Sequence, residues 1–253
     1  MDALQEANEM IYLTSDIHGC FKEFKKMLEY IHFQKDDVLY ILGDVLGRGD
    51  EPISLLKFIM EHPNMELLMG NHEQAFLWNT YKNTSRLSDE QVYELWTKHS
   101  GIETRDQYRA LPKDEQEEII YYLRKRPMYK IIGKNILVHA GIDTEGIDYD
   151  SLETLMAAQK PDRLLWETKP FYCNPLKMKD PEVRVFFGHM FSLIIRQDRG
   201  ELLDSTEVWK DVNRLGMDCG YAFGGKMVMY CLDTDRVYYL TSSGVLYDKV
   251  VNW

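Results

Sequence analysis

The sequence predicts an α/β fold in which helices cover a β-sheet. Two observations predict it. Between residues 10 and 82, short apolar runs alternate with stretches whose apolar residues recur every three or four positions, the β-α-β-α-β order of a helix-covered sheet. Each apolar run also ends in a loop that pairs Gly with Asp, Asn or His, at the carboxyl end of a strand, where open α/β sheets hold their ligands.

The first strand is 10–15, and Asp16-Ile17-His18-Gly19-Cys20 is the loop after it. Phe21, Phe24, Met27, Leu28 and Ile31 form one face of a helix over 21–33. Val38-Leu39-Tyr40-Ile41-Leu42 reads as a buried strand, followed by the loop Gly43-Asp44-Val45-Leu46-Gly47-Arg48-Gly49-Asp50 and a helix over 53–62. The third strand, 65–69, ends in Gly70-Asn71-His72-Glu73, and a further helix begins at Gln74. Residues 83–127 are polar, with scattered aromatics at Tyr93, Trp96 and Tyr108. Pro112 with Asp114-Glu115 marks a first helical turn, and Arg124-Lys125-Arg126 its end. The stretch reads as a helical insert beside the site, with its charges on a solvated face. A hairpin through Gly133-Lys134 joins strands 128–132 and 135–138, and His139-Ala140-Gly141 closes the second. Residues 142–181 read as irregular, with one short helix near 151–158. Strand 183–187 ends in Gly188-His189. From Leu193 to Val251 the chain reads as strand-rich, with turns at Arg199-Gly200, Asp233-Thr234-Asp235 and Ser243-Gly244.

The 253 residues suit one domain, 1–253, carrying the insert. The net charge of −11 argues against a nucleic-acid binder, because phosphate backbones are held mainly by Lys and Arg. It leaves a small phosphorylated substrate open, since bound cations invert a local field. No apolar run approaches the roughly 18–20 residues of a membrane span. The segment MDALQEANEM is too polar for a signal peptide. Cys20, Cys173, Cys219 and Cys231 form no CxxC pair and read as reduced thiols. The expectation is a cytoplasmic protein without membrane contact.

Five strand-end loops carry Asp16 with His18, Asp44, Asn71 with His72, His139, and His189. Each can donate oxygen or imidazole nitrogen to a divalent metal. Any one of them alone is ordinary loop chemistry. Together they are not, because four of the seven histidines follow strands directly, beside a Gly or Ala that permits close backbone approach. His32, His62 and His99 do not, and are assigned no role. Asp44 and Arg48, four residues apart, pair a metal-binding carboxylate with a phosphate-binding guanidinium.

The motifs DIHG (16–19), GDVLGRG (43–49), GNHE (70–73), HAG (139–141), GH (188–189) and DCGYAFGGKM (218–227) resemble those of the metallophosphoesterase family, in its phosphoprotein phosphatase branch. The resemblance implies a four-layer fold, a central β-sandwich of mixed sheets flanked by helices. It also implies two divalent metal ions, Mn²⁺ in the first instance, with Fe or Zn²⁺ as alternatives. Asp16 and His18 would bind the first ion, Asp44 would bridge, and Asn71, His139 and His189 would complete the second. Two ions about 3.5–4 Å apart require one such shared carboxylate. His72 would protonate the leaving oxygen, and Arg48 would clamp phosphate.

The resemblance has three departures. Protein phosphatases of the family carry Asp where this chain has Gly47, and that Asp orients the catalytic histidine. The related symmetric diadenosine tetraphosphate hydrolases also lack it. A second arginine clamp is replaced by Thr168, followed by Lys169, which becomes the candidate substrate-binding cation. Met190 stands where Thr is usual. The first reading is hydrolysis of phosphomonoesters, phosphoserine or phosphothreonine in proteins among them. A symmetric dinucleoside polyphosphate hydrolase is the alternative, and a metal-binding interaction module with weakened turnover is a third. Partners would be a phosphorylated protein or a small phosphorylated substrate. Gly47→Asp tests this departure: a gain of roughly 10²–10⁴-fold on restoring Asp would show that His72 is underpowered.

Overall fold

The computed structural model describes residues 9–80, 100–166, 169–202 and 205–253. Two β-sheets lie face to face. The first has six strands in the order β11-β10-β9-β1-β2-β3, the second five in the order β4-β5-β6-β8-β7. The strands are β1 (Ile11–Thr14), β2 (Val38–Ile41), β3 (Met65–Leu67), β4 (Tyr129–Ile132), β5 (Asn135–Val138), β6 (Arg184–Phe187), β7 (Trp209–Lys210), β8 (Arg214–Gly216), β9 (Lys226–Cys231), β10 (Arg236–Thr241) and β11 (Leu246–Val250).

Period-two alternation assigns each strand a face for each core. Leu13, Tyr40, Leu137, Phe186, Leu215 and Tyr230 point inward and form the apolar layer between the sheets. Their neighbours Tyr12, Leu39, Ile41 and Met229 face outward from the first sheet. There they meet Phe24 and Met27 of α1 (Phe21–Tyr30), and Ile53, Leu56 and Ile59 of α2 (Pro52–Glu61). Ile119, Ile120 and Leu123 of α5 (Lys113–Arg124) join that layer. On the far side, Ile136, Val138, Val185 and Phe187 bury against α6 (Leu152–Ala157), α7 (Pro161–Leu165) and α8 (Lys169–Cys173). The order is helix, sheet, sheet, helix. The sandwich and flanking layers expected from the motif resemblance are present.

Strands β1, β2 and β3 run parallel, as do β5, β6 and β8. The carboxyl ends of β1, β2, β3, β5 and β6 therefore open toward one rim. Pro52 begins α2, where its missing N–H has no helical partner to lose.

Three boundaries depart from the sequence reading. The helix after β3, α3 (Asn71–Thr80), begins at Asn71 and not at Gln74. Gln74 N–H closes its first turn onto Gly70 O at 3.1 Å, and the Glu73 carboxylate accepts Gly70 N–H at 3.0 Å, the reach-back of an N-terminal capping residue. Asn71 and His72 are thus held on the first turn of a helix. Residues 192–198, at the head of the stretch expected to be strand-rich, form α9 (Ser192–Asp198). Only one side of that run is covered: Ile195 is buried and Ile194 is 42% exposed. Residues 142–181 hold three short helices where one was expected.

The insert supplies α4 (Ile102–Ala110) and α5. Tyr93, Trp96 and His99 fall outside the described residues. No helix among the described residues is long and apolar enough to cross a membrane, and all four cysteines are free thiols.

Candidate metal centre

The rim loops are held in conformations that L-residues seldom adopt. Seven non-glycine residues among those described have positive φ, and five are Asp16 (52°), His18 (47°), Asp44 (56°), Arg48 (68°) and His189 (62°). Each such residue costs of order 1–3 kcal/mol, so the surrounding structure must impose it. Backbone hydrogen bonds do so. Asp16 N–H donates to Gly43 O, His18 N–H to Asp44 O, Gly19 N–H to Val45 O and Gly49 N–H to His18 O, at 2.8–3.2 Å. At Gly188 a Cβ would lie 1.8 Å from Ser15 Oγ, so only glycine lets β6 bring His189 against Asp16.

The imidazoles are fixed through backbone carbonyls. His18 Nδ1–H donates to Leu46 O at 2.9 Å, His139 Nδ1–H to Leu42 O at 2.7 Å and His189 Nε2–H to Trp166 O at 3.2 Å. The opposite nitrogen of each ring then carries its lone pair inward. His18 Nε2 faces Asp44 Oδ2 at 3.7 Å and Asp16 Oδ1 at 3.9 Å. His139 Nε2 lies 2.8 Å from Asn71 Oδ1 and 3.4 Å from Asp44 Oδ1, and His189 Nδ1 lies 2.9 Å from Asn71 Oδ1. With every ring N–H committed outward and the Asn71 oxygen turned inward, four electron-pair donors crowd one another. A cation between them converts that repulsion into ligation.

Two groups satisfy metal-holding geometry among the described residues. One is His18, Asp44 and His72, and the other is Asp44, His139 and His189. Within each, the donor atoms lie inside 4.8 Å of one another. Asp44 belongs to both, as a bridging carboxylate must. Asp16 adjoins the first group. Its carboxylate accepts His189 N–H at 3.0 Å and the Ser15 hydroxyl, which fix its orientation.

Electrostatics point the same way. Burial lowers the pKa of all four histidines, His18 to about 3 and His189 to about 4, with the nearby Arg48 charge adding to the effect. Held neutral, each ring can offer a nitrogen lone pair to a cation. Burial raises Asp16 and Asp44, and repulsion adds to it: from Asp218 onto Asp16, and from Asp16 and Glu73 onto Asp44. A buried cluster of carboxylates and neutral imidazoles is a site short of positive charge. Oxygen and nitrogen donors without thiolate suit Mn²⁺, Fe or Zn²⁺.

Arg48 borders this centre beside His72, a member of the first group. Arg48 Nη2 lies 3.5 Å from His72 Nε2, and its guanidinium lies over the Phe223 ring, 4.7 Å from the centroid. His72 N–H donates to Asp44 Oδ1 at 3.0 Å, and its Nε2 lies 3.9 Å from Asp44 Oδ2. Lys169 is the candidate substrate-binding cation of the sequence reading. Its ammonium pairs with Asp198 at 2.8 Å on an exposed surface, and among the described contacts it makes none with the centre. It begins α8, and Asp198 at the end of α9 offers the nearer anion. Thr168 lies outside the described residues. Met190 joins the apolar cluster behind the second sheet, which accounts for a large apolar residue there.

Position 47 leaves little room for a side chain. Gly47 has φ +82°, and a Cβ there would stand 2.4 Å from His72 Nδ1 and 2.8 Å from Ser100 O. Its N–H donates to Thr104 Oγ1 at 3.0 Å, and Arg48 N–H to Ser100 O at 2.6 Å. Ser100 and Thr104 thus hold the 43–50 loop at Gly47 and Arg48.

Sequence reasoning passed over Thr104 and Glu73. Glu73 is fully buried, and its carboxylate accepts the N–H groups of Asp44, Val45, Leu46 and Gly70 at 2.8–3.0 Å. The available signal was its place three residues past Gly70 at a helix start. Glu73→Ala leaves four buried donors unsatisfied, each worth about 1–3 kcal/mol. The expected loss is therefore at least about 3 kcal/mol, read from urea unfolding, with Glu73→Gln falling between. A loss below about 1 kcal/mol for the alanine variant would count against this buttress.

The calcineurin-like phosphoesterase family profile matches residues 10–239. The symmetrical bis(5'-nucleosyl)-tetraphosphatase of Wigglesworthia glossinidia brevipalpis is 35% identical over 136 residues, 52% of this chain and 44% of that protein. That of Erwinia tasmaniensis is 27% identical over 175 residues, 65% of this chain and 56% of that protein. The chain spans about half the length of the curated relatives it matches. Among solved structures, a candidate diadenosine tetraphosphatase superposes with a TM-score of 0.61 at 16% identity, covering 99% of this chain and 97% of the other. A metallophosphoesterase from Sphaerobacter thermophilus gives 0.52 at 20%, covering 91% and 87%. At those identities the likeness is one of fold.

Proposed function

Because the chain belongs to the calcineurin-like phosphoesterase family, we propose that it is a metal-dependent hydrolase of dinucleoside polyphosphates, cleaving them symmetrically. The observation that carries this choice over phosphomonoesters is Gly47 packed against His72. No carboxylate from position 47 raises the pKa of His72, and burial pushes it well below the ordinary histidine range. A serine or threonine alkoxide needs a proton as it leaves. A nucleoside diphosphate leaves as a stabilised anion and needs far less help from a general acid. The curated relatives bear the name of that reaction.

Asp16, His18, Asp44, Asn71, His139 and His189 would hold two divalent ions, with His72 beside His18 and Asp44 in the first group. Such ions supply a nucleophile from water at neutral pH and screen charge on the phosphates. Arg48 presents a planar fork to phosphate oxygens. Its position is set by Ser100 O on its own amide and by the Phe223 ring beneath its guanidinium. His72, tethered through its amide to Asp44, keeps Nε2 on the Arg48 side, where a leaving oxygen would emerge.

Chromatography of the products from diadenosine tetraphosphate, in the presence of Mn²⁺, tests the reading. Two molecules of adenosine diphosphate are expected. ATP with AMP, or inertness beside rapid dephosphorylation of a phosphoserine peptide, would overturn it in favour of asymmetric cleavage or monoester hydrolysis. His72→Asn provides a second check. Its expected cost is about 10-fold on the anhydride and about 10²-fold or more on an alkyl phosphomonoester, read as kcat/KM on each. Equal losses on both would remove the leaving-group explanation.

A further inference from the structure

Phe223 stands out as a large aromatic side chain left 66% exposed in a tightly built loop. The 3₁₀ turn Tyr221–Phe223 is closed by Phe223 N–H donating to Gly220 O, Gly224 N–H to Tyr221 O and Gly225 N–H to Gly220 O, at 2.9–3.0 Å. Its root is tied to the buried Asp218, which accepts Gly220 N–H at 2.8 Å. Its far side is tied to the β10–β11 turn, where the Ser242 hydroxyl donates to Gly224 O at 3.0 Å. The backbone therefore holds the ring in place, and the ring's stacking partner among the described residues is the Arg48 guanidinium, 4.7 Å from its centroid.

We infer that Phe223 is a specificity residue, a stacking platform for the nucleobase of the nucleotide whose phosphates Arg48 holds. The inference rests on the nucleotide reading above. Arg48 faces His72 Nε2 at 3.5 Å and lies over the ring, so clamp and aromatic surface form one unit. A base joined to its phosphates by one ribose can lie on an aromatic ring beside the group that grips those phosphates. The ring carries no hydrogen-bonding edge, and every base has a π face. The platform therefore selects for a nucleoside without choosing between adenine and guanine.

Two ligands that resist cleavage and differ only by adenosine isolate this contribution: α,β-methylene adenosine diphosphate and methylenediphosphonate. Their affinities are measured by calorimetry on the full chain loaded with Mn²⁺. Wild type is expected to prefer the nucleotide. Phe223→Ala and Phe223→Leu are expected to weaken nucleotide binding about 10-fold, and methylenediphosphonate by less than about 2-fold. Phe223→Trp is expected to retain the preference. In the complex of the wild type loaded instead with diamagnetic Zn²⁺, the adenine H2 and H8 proton resonances shift upfield under the ring, and in Phe223→Leu that shift disappears. Equal weakening of both ligands would show that the ring acts only by seating Arg48, and would overturn the platform. So would a wild type with no preference. Cleavage of diadenosine tetraphosphate is scored separately. A chain that stacks the nucleotide through Phe223 but leaves the tetraphosphate intact would sink the substrate reading and keep the platform. Cleavage unchanged by Phe223→Ala, together with unchanged nucleotide affinity, would do the reverse.

Discussion

Asp44→Asn is expected to lower turnover by about 10³-fold or more while the fold persists. Asp44 is the one residue common to both donor groups, with carboxylate oxygens 3.4 Å from His139 Nε2, 3.7 Å from His18 Nε2 and 3.9 Å from His72 Nε2. Asparagine keeps the shape, and its oxygen can still accept His72 N–H, which Asp44 Oδ1 accepts at 3.0 Å. It loses the charge and one donor atom. Bound Mn²⁺, measured by elemental analysis after dialysis, is expected to fall from two ions per chain to one or fewer. Without metal the sign reverses. Burial, Asp16 and Glu73 all disfavour the ionised Asp44 carboxylate, so removing its charge relieves the folded state. Metal-free Asp44→Asn is therefore expected to melt above the metal-free wild type at neutral pH. Two retained ions with turnover within tenfold of wild type would show that Asp44 does not bridge.

The legible part of this molecule is its strand ends. Asp16, His18, Asp44, Asn71, His139 and His189 each follow a short apolar run, and period-two burial makes such runs readable without knowledge of their neighbours. The structure brings them to one rim because the strands that precede them run parallel in each sheet. Less legible were features decided by distant packing. The run at 193–195 has the composition of a strand, yet only one side of it is covered, and it coils as a helix. Lys169 looked like a substitute for a missing arginine, but the fold places Asp198 beside it. Glu73 and Thr104 act through backbone N–H groups 27 to 57 positions away in the chain. Beyond the capping position of Glu73, sequence gives no sign of such contacts, because the partners are amides that every residue carries.

Gly47→Asp is the sharpest case of sequence and structure giving opposite expectations. By resemblance an aspartate there would orient His72, and a gain in activity would mark His72 as underpowered. In this fold its Cβ alone would fall 2.4 Å from His72 Nδ1, and the backbone sits at φ +82°, where a non-glycine residue is strained. Relief requires either His72 or the Ser100–Thr104 grip on the loop to move, since Ser100 O would also lie 2.8 Å away. The first displaces the His72 ring, and the second displaces Arg48, whose amide donates to Ser100 O. The expected result is a loss of about 10²-fold in kcat/KM, with a stability cost of about 1–3 kcal/mol. Gly47→Ala separates the causes. It carries the Cβ without the carboxylate, so a steric origin predicts a comparable loss, seen also as a changed His72 ring signal in ¹⁵N-resolved spectra. Should alanine be neutral and aspartate raise activity on a phosphomonoester, the cleft would have to admit a carboxylate beside His72. The glycine would then be a removable restriction and not a fitted part of the site. The packing of Ser100, Thr104 and His72 around one hydrogen-sized gap argues for the fitted part.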